Sequence, residues 1–80
     1  MDVCEAVKTR IYSLCAQRGI SINKLATEAG LSRSSLKNIL YGKSRNPGIV
    51  TIKILCDGLN MSLAQFFDAE PFSALDQEIK

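Results

Sequence analysis

Histidine and tryptophan are absent from the chain, and cysteine, proline and aromatic residues are scarce. Without histidine the commonest general base and the commonest metal ligand are both missing. Cys4, Cys15 and Cys56 are odd in number and show no CxxC spacing, which excludes a zinc knuckle and a closed set of disulfides. They read as reduced, buried thiols of a cytoplasmic protein. Aromatics make up only 6% of the residues, so aliphatic packing has to hold the core. No apolar run approaches the ~20 residues of a membrane helix. The opening Met1-Asp2 carries an acid where a signal peptide carries bases. Nor is there a glycine-rich phosphate loop, or a spaced carboxylate pair outside the acidic C-terminal stretch. An enzyme is not expected, and neither is a cofactor, a metal, a small-molecule substrate or a membrane partner.

What is present is a chain of 80 residues, 46% hydrophobic and 22% charged: enough apolar material for one globular domain and too much for a disordered segment. Its net charge of +2 is unevenly spread. Between residues 21 and 53, Lys24, Arg33, Lys37, Lys43, Arg45 and Lys53 face Glu28 alone, whereas residues 54 to 80 set Asp57, Asp68, Glu70, Asp76 and Glu78 against Lys80. A molecule so polarised turns its basic middle toward a polyanion.

Helical spacing runs through the whole chain, with no alternating strand pattern. Val3, Val7, Ile11 and Leu14 recur at intervals of three and four, with Asp2 as a start cap, Glu5 three residues on and Gly19 as a left-handed stop. This predicts a first helix over 3–18. Ser21 caps a second helix over 22–29, whose stripe is Leu25, Ala26 and Ala29 and which breaks at Gly30. Ser32 caps a third, ended by Gly42, with Ser35, Leu36, Ile39 and Leu40 on its inner side. Asn46-Pro47 reads as a cap followed by proline at the first helical position, opening a fourth helix that runs to about Leu59, with Asn60 as its C-terminal cap. Gly58 weakens the last turn of that helix by ~1 kcal/mol relative to alanine. Ser62 and Gln65 form a capping box for a fifth helix that buries Leu63, Phe66 and Phe67 and is stopped by Pro71. Beyond it, Ser73 with Phe72, Leu75 and Ile79 allows a short sixth helix or a frayed end. The domain is expected over 1–68, and residues 69–80 form an acidic C-terminal tail or short helix.

Only Gly30-Leu31-Ser32 joins the second and third helices, and so short a turn makes them cross steeply, as a helix-turn-helix does. Ala26 is small enough to let the third helix approach, Leu31 plugs the core and Leu36 docks the third helix on the second. On a wheel of about 100° per residue, Arg33, Lys37, Tyr41, Ser34 and Asn38 fall within one arc of about 140°, opposite Leu36 and Ile39. That arc is rich in donors and holds no acid. Arginine can grip guanine O6 and N7 with two bonds, asparagine can pair with adenine N6 and N7, and serine serves base or phosphate. Polar residues on the outside of a helix are more often a plain solvated face. Here the position on the second helix of a tight turn, the missing carboxylates and the following Lys43, Arg45 and Asn46 favour DNA.

The joint spacing of Leu25-Ala26, Gly30, Ser32-Arg33, Leu36, Ile39, Gly42-Lys43, Pro47, Thr51, Leu59 and Ser62-Leu63 resembles the Cro and phage-repressor type of helix-turn-helix domain, the XRE family, over about residues 5–67. The resemblance implies an all-α, five-helix, lambda-repressor-like fold, with the third helix in the major groove of double-stranded DNA. It also implies transcriptional regulation, often as a homodimer on a palindrome. Carried onto this chain, it gives Ser32, Arg33, Ser34, Lys37 and Asn38 as base-reading residues. Ser21 and Asn23 at the start of the second helix, with Tyr41, Lys43, Arg45 and Asn46 after the third, become phosphate contacts. The chain departs from the family pattern at Ile22, where a phosphate-touching glutamine is common. Cys15 and Leu40 also stand where many members pair an arginine with a glutamate, an exchange of ionic for apolar packing that predicts that these two side chains touch. The alternative function for the same fold is a protein-interaction module, such as the antitoxin of a toxin-antitoxin pair.

Overall fold

The computed structural model describes residues 1–41 and 46–79. Five α-helices run in order, α1 (Val3–Arg18), α2 (Ile22–Ala29), α3 (Arg33–Leu40), α4 (Ile49–Gly58) and α5 (Leu63–Phe67), followed by a 3₁₀ turn at Glu70–Ser73. The described residues contain no strand.

Local chemistry sets most of the helix ends. Asp2 accepts a hydrogen bond from the Glu5 backbone N–H at 2.8 Å, and the Glu5 carboxylate accepts from the Asp2 N–H at 3.2 Å, which completes a capping box at the head of α1. Ser62 and Gln65 form the same reciprocal pair for α5. Gly19 and Gly30 stop α1 and α2 with φ of 64° and 68°, a conformation that costs glycine no Cβ clash. Asn60 closes α4 in the same left-handed region, φ 55°, while Met61 N–H returns to the Cys56 carbonyl at 3.0 Å.

One apolar cluster joins all five helices. Val7, Ile11, Leu14 and Cys15 of α1 meet Leu25 and Ala26 of α2, Leu36, Ile39 and Leu40 of α3, Ile52, Leu55 and Cys56 of α4, then Leu59 and Phe66. Cys15 and Leu40 both lie in this cluster, at 5% and 4% exposure, so the position that could have held an ion pair is apolar on both sides. Leu31, in the turn between α2 and α3, packs against the same cluster.

Four local expectations are corrected. α4 does not begin at Asn46-Pro47; its N-cap is Gly48, which supplies no side-chain bond, and its first helical residue is Ile49. Pro47 instead lines a groove of about 170 Å³ with Val3, Val7, Ile52 and Phe67, one residue ahead of the cap. Ser35 is exposed rather than inward, and its hydroxyl accepts from Ser32 Oγ at 2.9 Å beside the cap of the helix. Pro71 does not stop α5, which ends at Phe67. It is the second residue of the 3₁₀ turn, where a missing N–H costs nothing. Ser73 closes that turn instead of opening a sixth helix, and the N-cap position is Ala69. Gly42, expected to end α3, lies outside the described residues.

The 3₁₀ turn packs against α1, and Phe72 joins a three-ring cluster with centroid distances of 6.0 Å to Phe66 and 4.9 Å to Phe67. Ile79 at the far end of the tail is 87% exposed.

Candidate nucleic-acid interface

α3 is built so that one side must stay outside. Leu36, Ile39 and Leu40 are committed to the core, and the 3.6-residue repeat then throws Arg33, Ser34, Lys37 and Asn38 outward, where all four are exposed. Ser32 holds the start of the helix, its Oγ accepting from the Ser35 N–H at 3.1 Å. The remaining free N–H groups and the positive end of the helix dipole therefore open beside Arg33, a setting that favours an anion.

Lys24–Glu28 and Lys53–Asp57 are ion pairs on α2 and α4. Neither Arg33 nor Lys37 has an acidic partner among the described residues, so both guanidinium and ammonium remain available. Ser34, Lys37, Asn38 and Tyr41 together line a shallow depression of about 240 Å³ on the outer side of α3. Three residues expected to read bases thus share one wall with Tyr41, which was expected among the phosphate contacts. Tyr41 is the C-cap of α3, its N–H donating to the Lys37 carbonyl at 2.8 Å, and its side chain is 65% exposed.

The remaining phosphate candidates are placed as follows. Ser21 is the N-cap of α2 and accepts from the Lys24 N–H at 3.0 Å; Asn23 stands exposed in the first turn, its carbonyl accepting from Thr27 Oγ1 at 3.1 Å. Ile22, where a glutamine is common, is partly buried against the core. Asn46 is exposed. Lys43 and Arg45 lie outside the described residues.

Two arginines do work that no local pattern announced. Arg10 on α1 donates from Nε to the Phe66 carbonyl at 2.8 Å and from Nη2 to the Gln65 carbonyl at 2.9 Å, tying down the last turn of α5. Arg18, at the end of α1, donates to the Leu59 carbonyl beside the close of α4. Their partners lie 56, 55 and 41 residues away in the chain, too far for any helical repeat to reveal. Among the described residues no cluster of cysteine and carboxylate side chains could hold a metal ion. Burial pushes the Cys15 and Cys56 thiols up from the usual value, which leaves them poor nucleophiles.

Comparison with known proteins bears on this geometry. Residues 10–71 match the model of the Cro/C1-type HTH DNA-binding domain, a span that includes α2, the turn and α3 entire. The chain belongs to that family. It is 42% identical over 62 residues to the HTH-type transcriptional regulator SlrR of Bacillus subtilis (strain 168), an alignment that covers 76% of this chain and 41% of the regulator. The chain thus spans about two fifths of that relative's length. Among solved structures, the crystal structure of the prophage Lp1 protein 11 superposes with a TM-score of 0.81 at 34% identity, covering 94% of this chain and 100% of that one. As a Cro/C1-type domain, the chain is a DNA-binding module of a family defined by binding and not by catalysis. Among the described residues no helix is long and apolar enough to cross a membrane.

Proposed function

We propose that this Cro/C1-type domain regulates transcription by reading a specific sequence in the major groove of double-stranded DNA with α3. The observation that carries the reading is the outer side of that helix: Arg33, Ser34, Lys37 and Asn38 exposed together, with no acidic partner for either cation among the described residues. A helix of about 10–12 Å diameter fits a groove about 12 Å wide. Arg33 and Asn38 are the residues suited to bidentate contact with guanine and adenine, Lys37 suits guanine, and Ser34 and Ser32 suit base or phosphate. Ser21, Asn23 and Asn46, with Lys43 and Arg45, would grip the backbone on either side and set the register without reading sequence. The domain would comprise residues 1–68, followed by the tail at 69–80, and would act in the cytoplasm.

An eight-residue helix is about 12 Å long and spans only three or four base pairs at 3.4 Å each. So short a word recurs constantly in any genome, and two copies on a palindrome would double it, with half-sites centred one turn, about 34 Å, apart. A homodimer on DNA is therefore part of the reading, and the regulator named among its relatives supports the transcriptional role.

Selection of bound duplexes from a random pool tests both points together. An enriched motif with twofold symmetry is the expected result; a pool that emerges unenriched at physiological salt would remove the base-reading function.

A further inference from the structure

The outer side of α3 is polar except at one place. Arg33, Ser34, Lys37 and Asn38 all end in hydrogen-bonding groups, whereas Tyr41 presents the flat apolar faces of a six-carbon ring at 65% exposure. Side chains on a helix lean toward its N-terminus and cover the turn before their own Cα. From the C-cap of α3, the Tyr41 ring therefore lies over the turn that carries Lys37 and Asn38, and it forms one wall of the depression that these residues share with Ser34. An exposed aromatic ring in a donor-lined hollow calls for a ligand that is polar at one edge and apolar at another. Among the edges that DNA shows in its major groove there is one apolar group, the C5-methyl of thymine.

We infer that Tyr41 is a specificity-determining residue that packs its ring against a thymine methyl, at the A·T pair whose adenine Asn38 reads or at the pair next to it. This assignment rests on α3 lying in the major groove as proposed. It moves Tyr41 from the phosphate contacts to the base-reading group and makes the depression a thymine subsite. Ser34 and Lys37 supply its polar rim, within reach of thymine O4 and of the neighbouring guanine. Adenine–thymine discrimination then has two sources: a pair of hydrogen bonds on the purine and an apolar contact on the pyrimidine.

Deoxyuridine differs from thymidine by that methyl group alone. The test takes the full chain and the duplex enriched from a random pool, and replaces each thymine in turn by uracil. One thymine per half-site should be sensitive, weakening wild-type binding about fourfold, the worth of one buried methyl group. Tyr41→Phe should keep that sensitivity, since the ring remains. Tyr41→Ala should bind the thymine and uracil duplexes alike, and circular dichroism should show it folded, because the side chain it loses is largely exposed. Uracil tolerated at every position by the wild type would overturn the thymine contact and leave the base-reading function standing. Full methyl sensitivity in Tyr41→Ala would do the same, by assigning the methyl to another residue. A pool with no enriched motif would remove the base-reading function and the subsite with it.

Discussion

Gly58 of α4 meets Ala29 of α2 at backbone distance. A Cβ built on Gly58 would stand 2.9 Å from the Ala29 Cα and 3.0 Å from both its Cβ and its backbone nitrogen. Ala29 is the last residue of α2, immediately before the turn into α3. The glycine thus lets the scaffold helix α4 close directly onto the support of the recognition helix, and the conformational cost of a glycine inside a helix is offset by that close packing.

Gly58→Ala gains about 1 kcal/mol of helix propensity but forces a methyl group into backbone atoms that cannot rotate away, at a cost of about 1–3 kcal/mol. The clash should win. We expect a melting temperature lowered by several degrees, since 1 kcal/mol moves a domain of this size by about 4–8 °C. An unchanged or higher melting temperature would show that the two helices part at little cost.

Arg10→Ala removes two donors from the carbonyls that end α5. One of those bonds is partly buried, and the loss should amount to about 1 kcal/mol, read as a lower urea midpoint. Lysine cannot reproduce the two-pronged contact, so Arg10→Lys should recover only part of it. The enriched DNA motif should stay the same in both variants. A shift in motif would mean that Arg10 acts on recognition as well.

Arg33→Ala should relax preference at one base position by ~1–3 kcal/mol, while Lys43→Ala and Arg45→Ala should weaken cognate and random duplexes alike. Each of these two lysine and arginine variants should also flatten the plot of log K against log salt by about one unit of slope. Binding that barely responds to salt would favour an apolar protein partner over DNA. Equal losses on cognate and random duplex for Arg33→Ala would take base reading away from that residue.

Burial raises both the Cys15 and the Cys56 pKa, so the folded chain keeps these protons where the unfolded chain gives them up. The sign follows from linkage: the contribution of these thiols to stability is whole below the usual thiol value of 9.0 and is lost as pH climbs through and beyond it. A denaturant midpoint that falls above that pH is expected, together with alkylation of both residues at pH 8 only after unfolding. Rapid labelling of native protein at either site would contradict their burial.

The helix-turn-helix was legible because its signals are local. Caps at Asp2, Ser21, Ser32 and Ser62 lie three residues from their partners, Gly19 and Gly30 sit where a left-handed residue is needed, and the periodicity of α1 and α3 separates inner from outer side without reference to the rest of the chain. The same logic misled where a local signal met a stronger tertiary demand. Pro47 carries the chemistry of a helix start but lines the groove between α1, α4 and α5, one residue ahead of the Gly48 cap. Pro71 carries the chemistry of a stop but is the second residue of a 3₁₀ turn that seats Phe72 against Phe66 and Phe67.

By itself, then, the order of residues determined five helices, the tight turn between the second and third, and which side of the third faces water. Each of these depends on hydrogen bonds and apolar repeats that reach no further than one or two turns of helix. Tertiary structure alone decided that Arg10 and Arg18 close the ends of α5 and α4, and that Gly58 admits Ala29. Those pairings join groups dozens of residues apart. No period or cap encodes them, because they exist only once the shared core has brought the helices together.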